Sequence, residues 1–262
     1  MTKVFSFSDS MDFAIQADEI VSGGTGYAIT LQNGKEVYRS LLDRALPLEI
    51  EHQYPDYTRY PKMTQDTAYG FLTRGCPRNC GFCHVTCKEG PVSLHVADLD
   101  EFWNGQKKIK LLDPNLLAAK GRERLLSQLV ESRAYVDFTQ GLDIRMVRDV
   151  TGLLDRVKIE RVHFAWDNPE EDLVPHFRYY AETARPNKHR PPAVYVLTNY
   201  SSTHEQDLYR IYTLRDLGFE PYVMIYDKAH APRETRLLQR WVNNRIIFNA
   251  VKRFEDYDCK VG

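Results

Sequence analysis

The sequence predicts an α/β protein in which crossover helices join the strands of a parallel sheet, and three observations support this. A chain of 262 residues with 43% hydrophobic residues is long enough for one large core. Downstream of about residue 67, short β-rich runs alternate with longer segments of helical character. Six such runs occur, and strands that alternate with helices pair in parallel. They are TAYGFLTR (67–74), KIKLLD (108–113), YVDFTQ (135–140), RVHFAWD (161–167), AVYVLTN (193–199) and EPYVMIYD (220–227).

The segments between these runs place apolar residues at helical spacing, as in GRERLLSQLVESR (121–133) and EQDLYRIYTLRDLG (205–218). Six β/α units are too few for a closed eight-fold barrel. We therefore predict a partial (βα)6 TIM-like barrel over residues 67–262, with an open, doubly wound sheet as the alternative. Both folds bind ligands at the carboxyl ends of their strands.

The first 66 residues differ in character and are predicted to form a short N-terminal extension. They hold a short β/α unit (VFSFS, 4–8, then FAIQADEIV, 13–21), a glycine-rich turn at 22–27 and the Tyr/Pro-rich connector YPDYTRYP (54–61). The glycine-rich turn lacks the spacing of a P-loop or a dinucleotide-binding fingerprint. A second connector, ARPNKHRPPA (184–193), is predicted to be a loop because its three prolines oppose a helix.

Charge and hydropathy argue against a membrane protein or a generally basic, nucleic-acid-binding one. The 35 Lys and Arg nearly cancel the 36 Asp and Glu, so the formal charge is −1. The amino terminus carries acidic residues among its apolar ones and lacks the apolar run and cleavage site of a signal peptide. No apolar stretch approaches the roughly 18 residues of a membrane span. These features predict a soluble, cytoplasmic protein.

Four of the five cysteines lie between positions 76 and 87, and only Cys259 lies elsewhere. This distribution does not suit a disulfide framework, whereas a metal or cluster explains why thiolates crowd one segment. Cys76, Cys80 and Cys83 form a C-x3-C-x2-C motif. Three thiolates can hold three irons of a [4Fe-4S] cluster, which leaves the fourth iron open to bind and activate a substrate.

The same cysteine spacing is compatible with two other metal sites, and both use Cys87 as a ligand. With Cys87 as a fourth ligand, the loop would form a structural zinc site or a closed cluster for electron transfer or sensing. Structural zinc sites usually pair two separated C-x2-C knuckles, which this segment lacks. Cys87 and Cys259 also fit the simpler role of small buried apolar residues.

The cysteine motif, with the aromatic Phe82 before its last cysteine and a strand before its first, resembles that of the radical S-adenosylmethionine (SAM) superfamily. More narrowly, the segments YPDY, GFLTRGCPRNCGFC, LLDPNLL, DFTQGLDIR and FAWDN resemble radical SAM proteins that carry a cobalamin-binding domain ahead of the barrel. The resemblance covers residues 54–257. It implies a cytoplasmic enzyme of unidentified substrate with two cofactors, a [4Fe-4S] cluster and SAM, and an electron donor such as flavodoxin or ferredoxin.

In such an enzyme the open iron is chelated by the amino and carboxylate groups of SAM. An electron from the reduced cluster then splits SAM into methionine and a 5′-deoxyadenosyl radical, which removes a hydrogen atom from the substrate. The resemblance also implies that residues 1–66 are a degenerate remnant of the cobalamin-binding domain. Because no Asp-x-His-x-x-Gly cobalamin motif is present, we expect this remnant to bind no cobalamin.

The resemblance assigns further cofactor-binding residues beside Phe82. The family usually carries a Gly-Gly-Glu segment at the end of the second strand, where its backbone receives the SAM amino group. Here the same place holds Asp113 and Asn115, separated by a proline. Because this place lacks the Gly-Gly-Glu segment, we expect it to contact the SAM amino group through carbonyls or side chains. A plain turn that leads into a helix is the alternative.

The third predicted strand is followed by Gln140, Asp143 and Arg145. We expect Gln140 and Asp143 to hold ribose hydroxyls and Arg145 to pair with the SAM carboxylate. The alternative is a helix N-cap at Asp143 beside a solvated arginine. Polar and aromatic residues at 166–168, 198–200 and 226–227 also fall at predicted strand ends, where a barrel places the residues that face its ligands. The alternative is that they are loop caps and core aromatics, which use the same residue types.

The segment 228–253 holds seven Lys or Arg and one Glu, interleaved with Trp241 and Phe248. It is predicted to form a basic helix with four apolar residues turned inward, Leu237, Leu238, Trp241 and Ile247. A basic helix of this kind suggests a second function class, a non-catalytic iron-sulfur or zinc protein that contacts nucleic acid. Nothing else in the sequence supports a nucleic-acid contact.

Overall fold

The computed structural model describes residues 29–32, 35–38, 47–59, 61–184 and 191–260. The predicted β/α unit and glycine-rich turn of the first 28 residues lie outside these ranges, as does most of the connector 184–193. Within the N-terminal region, β1 (Ile29–Gln32) pairs with β2 (Lys35–Tyr38) as an antiparallel hairpin.

The largest sheet has six strands, which confirms the predicted parallel α/β architecture. Its strands start within two residues of the runs identified in the sequence. They are β3 (Thr67–Gly70), β6 (Lys108–Leu111), β7 (Tyr135–Phe138), β8 (Ile159–Ala165), β9 (Ala193–Thr198) and β10 (Glu220–Ile225). The order across the sheet is β10-β9-β8-β7-β6-β3, so β3 and β10 are its edges. A short antiparallel pair, β4 (Thr73–Arg74) and β5 (Leu94–His95), follows β3.

Nine α-helices occur in the described part of the chain, several of them a single turn long. They are α1 (Leu48–Glu51), α2 (Pro61–Thr64), α3 (Val85–Glu89), α4 (Arg122–Ser132), α5 (Thr151–Leu154), α6 (Val174–Thr183), α7 (His204–Asp216), α8 (Arg233–Asn243) and α9 (Arg245–Ala250). None of them combines the length and the apolar character that crossing a bilayer requires.

The two longest predicted helical patterns form α4 and α7. In α4, Leu125, Leu126 and Leu129 are buried, as their spacing on one helical face predicts. Helix α7 begins at a capping box, in which the Thr203 hydroxyl accepts from the Gln206 amide and the Gln206 side chain accepts from the Thr203 amide. These reciprocal bonds satisfy amide groups that a helix start would otherwise leave without partners.

The basic C-terminal segment forms two helices rather than the single helix expected from the sequence. Asn244 separates α8 from α9, and its side-chain Oδ1 accepts hydrogen bonds from the amides of Ile246 and Ile247. An asparagine that caps a new helix start in this way ends the preceding helix. Leu238 and Trp241 are buried as predicted.

The chain divides into two compact units. The first comprises residues 1–140 and 156–160, and the second comprises residues 141–155 and 161–262. The core of the first unit contains buried aliphatic residues of β6, β7 and α4, such as Ile109, Val136 and Leu126.

The second unit has two groups of packed apolar side chains. One is aromatic, with Phe164, Phe177, Tyr180 and Phe219 in edge contacts. The other joins α7, α8 and α9 to β10 and consists of Ile211, Val223, Leu238, Trp241, Val242 and Phe248.

Helix α8 also contacts the outer edge of β10 through two side-chain amides. The Asn243 Oδ1 accepts from the main-chain nitrogen of Val223 at 2.8 Å. The Val223 carbonyl accepts from Asn243 Nδ2 at 3.0 Å and from Gln239 Nε2 at 3.1 Å.

Candidate functional site

The cysteine loop lies in the first unit and connects β4 to α3. Its two ends are joined by hydrogen bonds, since the Cys76 amide donates to the Gly90 carbonyl at 3.2 Å and the Thr86 hydroxyl donates to the Cys76 carbonyl at 3.2 Å. Within the loop, the Cys83 amide donates to the Cys80 carbonyl at 2.9 Å. The motif therefore forms a compact turn in which the backbone around each predicted ligand is fixed.

Gly75 stands immediately before the first cysteine and has a backbone that only glycine adopts readily. Its φ is +87°, and a Cβ at this position would lie 2.1 Å from the Val92 carbonyl oxygen. Its amide donates to Glu89 Oε2 at 3.1 Å, and Glu89 is buried at the end of α3. Glu89 thus holds the entrance of the loop against the helix that follows it.

Asp113, at the end of β6, holds the strand that leads into the loop. Its carboxylate accepts hydrogen bonds from the amides of Leu72 and Thr73 and from the Thr73 hydroxyl, at distances between 2.6 and 3.2 Å. The side chain is fully buried, and burial raises the pKa of Asp113 to about 6 despite these donors. The structure therefore uses the predicted cofactor-binding carboxylate to position the loop.

Asn115 connects the end of β6 to the first cysteine directly. Its Nδ2 lies 3.6 Å from Cys76 Sγ, and its main-chain carbonyl accepts from the Ser93 hydroxyl at 2.8 Å. The residue is 4% exposed, and its Oδ1 is buried with no hydrogen-bond partner. A buried acceptor without a donor costs free energy, and a bound group that donates to it would recover that cost.

The three predicted ligands differ in exposure. Cys76 and Cys83 are half-buried, whereas Cys80 is exposed, as is Cys87. Across the ranges that the structure describes, no three His, Cys, Asp or Glu side chains are placed to share one metal ion.

The donor set fits a [4Fe-4S] cluster in its chemistry. Three thiols lie on one short loop, and a buried amide donor approaches the sulfur of Cys76. Hydrogen bonds from amides to ligand sulfurs are a regular feature of cluster sites. Phe82, the aromatic residue that precedes the last cysteine of the motif, is half-buried.

The remaining predicted cofactor residues divide between the two units. Gln140 is exposed and is the last residue of the first unit before the chain enters the second. Asp143 and Arg145 belong to the second unit. The structure thus places Asn115 against Cys76 and Asp113 beneath the loop entrance. The two predicted ribose contacts, Gln140 and Asp143, fall in different units, and Asp143 shares its unit with Arg145.

Asp143 and Arg145 form a local ion-pair cluster at the start of a 3₁₀ helix (Ile144–Val150). The Asp143 carboxylate caps this helix by accepting from the Arg145 amide and also accepts from Arg145 Nε at 2.7 Å. Arg145 Nη1 lies 2.7 Å from Glu171 Oε2. The N-cap expected as an alternative is present, but Arg145 is held between two carboxylates rather than solvated.

The strand ends of the second unit are connected by Arg210, which the sequence interpretation missed. This fully buried side chain donates to the carbonyls of Trp166 and Leu197 and pairs with Asp207 at 2.5 Å. It lies on α7, where opposite charges three positions apart normally indicate a solvated helix face. The apolar neighbours Leu208 and Ile211 were the only sequence signal that this face turns inward.

Asp167 follows β8 and is mostly buried. Its Oδ1 accepts from the Leu197 amide at 3.2 Å, and burial raises the pKa of Asp167 to about 6. After β9, Asn199 adopts a φ of +62° and donates from Nδ2 to the Tyr226 carbonyl at 2.8 Å. The polar residues predicted at these strand ends therefore connect neighbouring strands.

Comparison with known proteins adds no further constraint. No model of a known protein family matches this sequence, and no curated protein matches it either.

Proposed function

We propose that this protein is a radical SAM enzyme that binds a [4Fe-4S] cluster through Cys76, Cys80 and Cys83. The observation that carries the proposal is the placement of a C-x3-C-x2-C loop after β3, the first strand of the parallel sheet, and the short strand β4, with Asn115 Nδ2 3.6 Å from Cys76 Sγ. Ligands collect at the carboxyl ends of strands in folds of this class.

The chemistry that the bound cluster supplies is an electron that splits SAM into methionine and a 5′-deoxyadenosyl radical, which abstracts hydrogen from the substrate. The residues of this chain hold and orient the reactants. Asn115 Nδ2 orients the Cys76 sulfur, and its buried Oδ1 is the acceptor that we assign to the SAM amino group. Asp113 and Glu89 keep the loop in place through Thr73 and Gly75.

The resemblance suggests two further roles, one for Gln140 and one for Arg145. We assign Gln140, which is exposed, to a ribose hydroxyl. For the SAM carboxylate, Arg145 stays the residue that the resemblance suggests. Within its own unit its Nε pairs with Asp143 and its Nη1 with Glu171. The Asp143 carboxylate then keeps the guanidinium oriented.

We also propose that the sheet belongs to a partial (βα)6 barrel rather than a doubly wound fold. A doubly wound sheet is covered by helices on both faces. In the second unit, Phe164 and Val223 pack beneath helices, while Tyr222 and Met224 on the other face of β10 are 46% and 45% exposed. At the edge strand β10, one face is therefore covered and the other is open, as we expect at the open edge of an incompletely closed barrel.

The proposal is tested by SAM cleavage under anaerobic conditions. The protein is reconstituted with iron and sulfide, reduced with dithionite and assayed for 5′-deoxyadenosine. We expect about four irons and product from the wild type and from Cys259→Ser, and neither intact cluster nor product from Cys80→Ala. If the wild type bound iron but released no 5′-deoxyadenosine with any substrate, the proposal would be wrong.

The same anaerobic reconstitution and cleavage assay test the role of Cys87. We expect Cys87→Ser to retain the cluster and the cleavage activity. A single zinc ion that is lost in Cys87→Ser would instead support the non-catalytic, nucleic-acid-binding alternative.

A further inference from the structure

Three side chains of the first unit lie in one row across its strands. Tyr69 is opposite Lys110 in the β3–β6 register, and Lys110 is opposite Asp137 in the β6–β7 register. Each is the last residue but one of its strand, so the row lies at the carboxyl ends, the edge at which the cysteine loop and Asn115 are also found. Residues in register on neighbouring strands point to the same face of a sheet, so the three side chains share one face.

This face points away from the core of the unit. The preceding residue on each strand has the opposite parity, and these three residues, Ala68, Ile109 and Val136, are completely buried. Interior strands of a parallel sheet are normally apolar on both faces. Lys110 and Asp137 depart from that pattern on two neighbouring interior strands, and Asp137 is only 9% exposed. Charged residues that break a local folding rule in this way are typical of functional sites.

Lys110 differs from the other lysine on the same face of β6. Lys108 pairs with Glu160, with its Nζ 2.7 Å from Oε1. The Lys110 ammonium instead lies over the Tyr69 ring, 5.7 Å from its centroid, and no carboxylate in the described part of the chain pairs with it. Opposite charges at neighbouring positions normally attract each other into an ion pair. Because the Lys110 ammonium leans toward β3, the two charges of the row stay apart.

We infer that Lys110 and Asp137 form a site for a free α-amino acid. The Lys110 ammonium binds the carboxylate of the amino acid, and the Asp137 carboxylate binds its ammonium group. A zwitterion with adjacent opposite charges matches two fixed charges that share a face without pairing with each other. It also supplies the counter-charge that a half-buried ammonium requires. A phosphate fits less well, because its two negative charges would lie beside a buried carboxylate.

This inference rests on the proposed function for what is done to the bound amino acid, and it gives that function a substrate class. Binding is measured by isothermal titration calorimetry on the full-length reconstituted protein, left unreduced so that SAM stays intact. SAM is kept at saturation, and each proteinogenic amino acid is titrated in turn as the probe.

We expect at least one amino acid to bind and Lys110→Met to weaken it by roughly ten- to one-hundred-fold, the effect of losing a charge-assisted hydrogen bond. Lys110→Arg keeps the charge and should restore most of the binding. Lys108→Met removes the lysine two residues earlier on the same face and is the matched control, which should bind like the wild type.

The contact with the ammonium group has its own probe. The carboxylic acid that lacks the amino group of the bound amino acid is titrated into the wild type and Asp137→Asn. We expect Asp137→Asn to weaken binding of the amino acid but not of its deaminated counterpart. Circular dichroism shows whether this buried position tolerates the change, and Lys110→Met tests the site independently of it.

Three results would overturn the inference. The first is that no proteinogenic amino acid binds. The second is binding that Lys110→Met and Lys108→Met weaken equally. The third is a loss of SAM binding in Lys110→Met, measured without an added amino acid, because the row would then hold the methionine part of SAM.

The amino-acid site and the proposed chemistry fail separately. If an amino acid binds with the expected sensitivity to Lys110→Met but the reduced wild type forms no 5′-deoxyadenosine, the site stands and the radical SAM proposal falls. If 5′-deoxyadenosine forms but no amino acid binds, the radical SAM proposal stands and the site falls.

Discussion

Asp113 and Thr73 are joined by two hydrogen bonds to one oxygen. The Asp113 Oδ1 lies 2.6 Å from the Thr73 nitrogen and 2.7 Å from its hydroxyl. This contact ties the end of β6 to the short strand that enters the cysteine loop. A buried carboxylate thus determines where the loop begins, and its protonation state matters for stability.

The stability of the protein should depend on pH through Asp113. Its folded-state pKa is raised from 3.8 to about 6, so its contribution to stability is full below pH 3.8 and is lost as the pH rises through 6. The shift corresponds to on the order of 3 kcal/mol. We expect urea unfolding to show the wild type losing stability relative to Asp113→Asn between pH 4 and pH 7.

Two features keep this test specific. Asp167 has a similar pKa shift, but it is present in both proteins and cancels in their difference. Asp100→Asn, at an exposed carboxylate, should track the wild type at every pH. A constant difference between wild type and Asp113→Asn across this pH range would contradict the prediction.

Gly75 and Gly90 provide a matched pair of substitutions. Both have positive φ, +87° and +91°, so alanine strains the backbone at both sites. Only at Gly75 would the new Cβ meet another atom, the Val92 carbonyl oxygen. We expect Gly90→Ala to cost about 1–2 kcal/mol and Gly75→Ala to cost at least twice as much, with loss of cluster assembly. Chemical denaturation measures the loss of stability, and iron content measures cluster assembly. Equal losses of stability for Gly75→Ala and Gly90→Ala would show that the chain at Val92 moves away from the new Cβ, and would contradict the prediction.

Arg210 should be among the most sensitive positions in the second unit. Replacing it with methionine leaves the Asp207 carboxylate and the carbonyls of Trp166 and Leu197 without their buried donor. We expect a loss of about 3–5 kcal/mol in the free energy of unfolding. Arg236→Met, at an exposed site, should change it by less than about 0.5 kcal/mol.

A double variant separates the charge from the carbonyl contacts of Arg210. Asp207→Asn removes the carboxylate that Arg210→Met would leave uncompensated. We therefore expect Asp207→Asn with Arg210→Met to be less destabilising than the sum of the single variants. Strict additivity would mean that the ion pair contributes nothing beyond the carbonyl contacts.

Asn115 should set the reduction potential of the proposed cluster. A hydrogen bond to a ligand sulfur draws negative charge from it and favours the reduced state. Asn115→Ala removes the donor to Cys76 and should lower the midpoint potential by roughly a few tens of millivolts. Anaerobic potentiometry followed by electron paramagnetic resonance measures this shift. Asn104→Ala, at an exposed turn, is the control and should leave the potential unchanged.

The strands were predictable from the sequence because their residues are strongly patterned. The runs at 108–113, 193–199 and 220–227 begin at the first residues of β6, β9 and β10. The run at 67–74 was predicted as one strand but is divided after Gly70, since Asp113, distant in sequence, captures the amides of Leu72 and Thr73. A local pattern carries no information about such a partner.

Buried polar residues were the least predictable part of the site. Glu89 and Arg210 have the residue types of solvated helix faces, and their burial depends on contacts with Gly75 and with strand ends elsewhere in the chain. The cysteine motif was visible because its ligands are close in sequence. The approach of Asn115 to Cys76, across 39 positions, emerges only when β6 lies beside β3.

The amide contacts of α8 with β10 have a consequence for association. An edge strand presents main-chain donors and acceptors that can pair with a strand of another molecule. Here Asn243 and Gln239 occupy both main-chain groups of Val223, and Pro221 has no N–H to offer. The strand therefore lacks the continuous row of unsatisfied groups that templates intermolecular β-pairing, and this edge of the sheet is protected against aggregation.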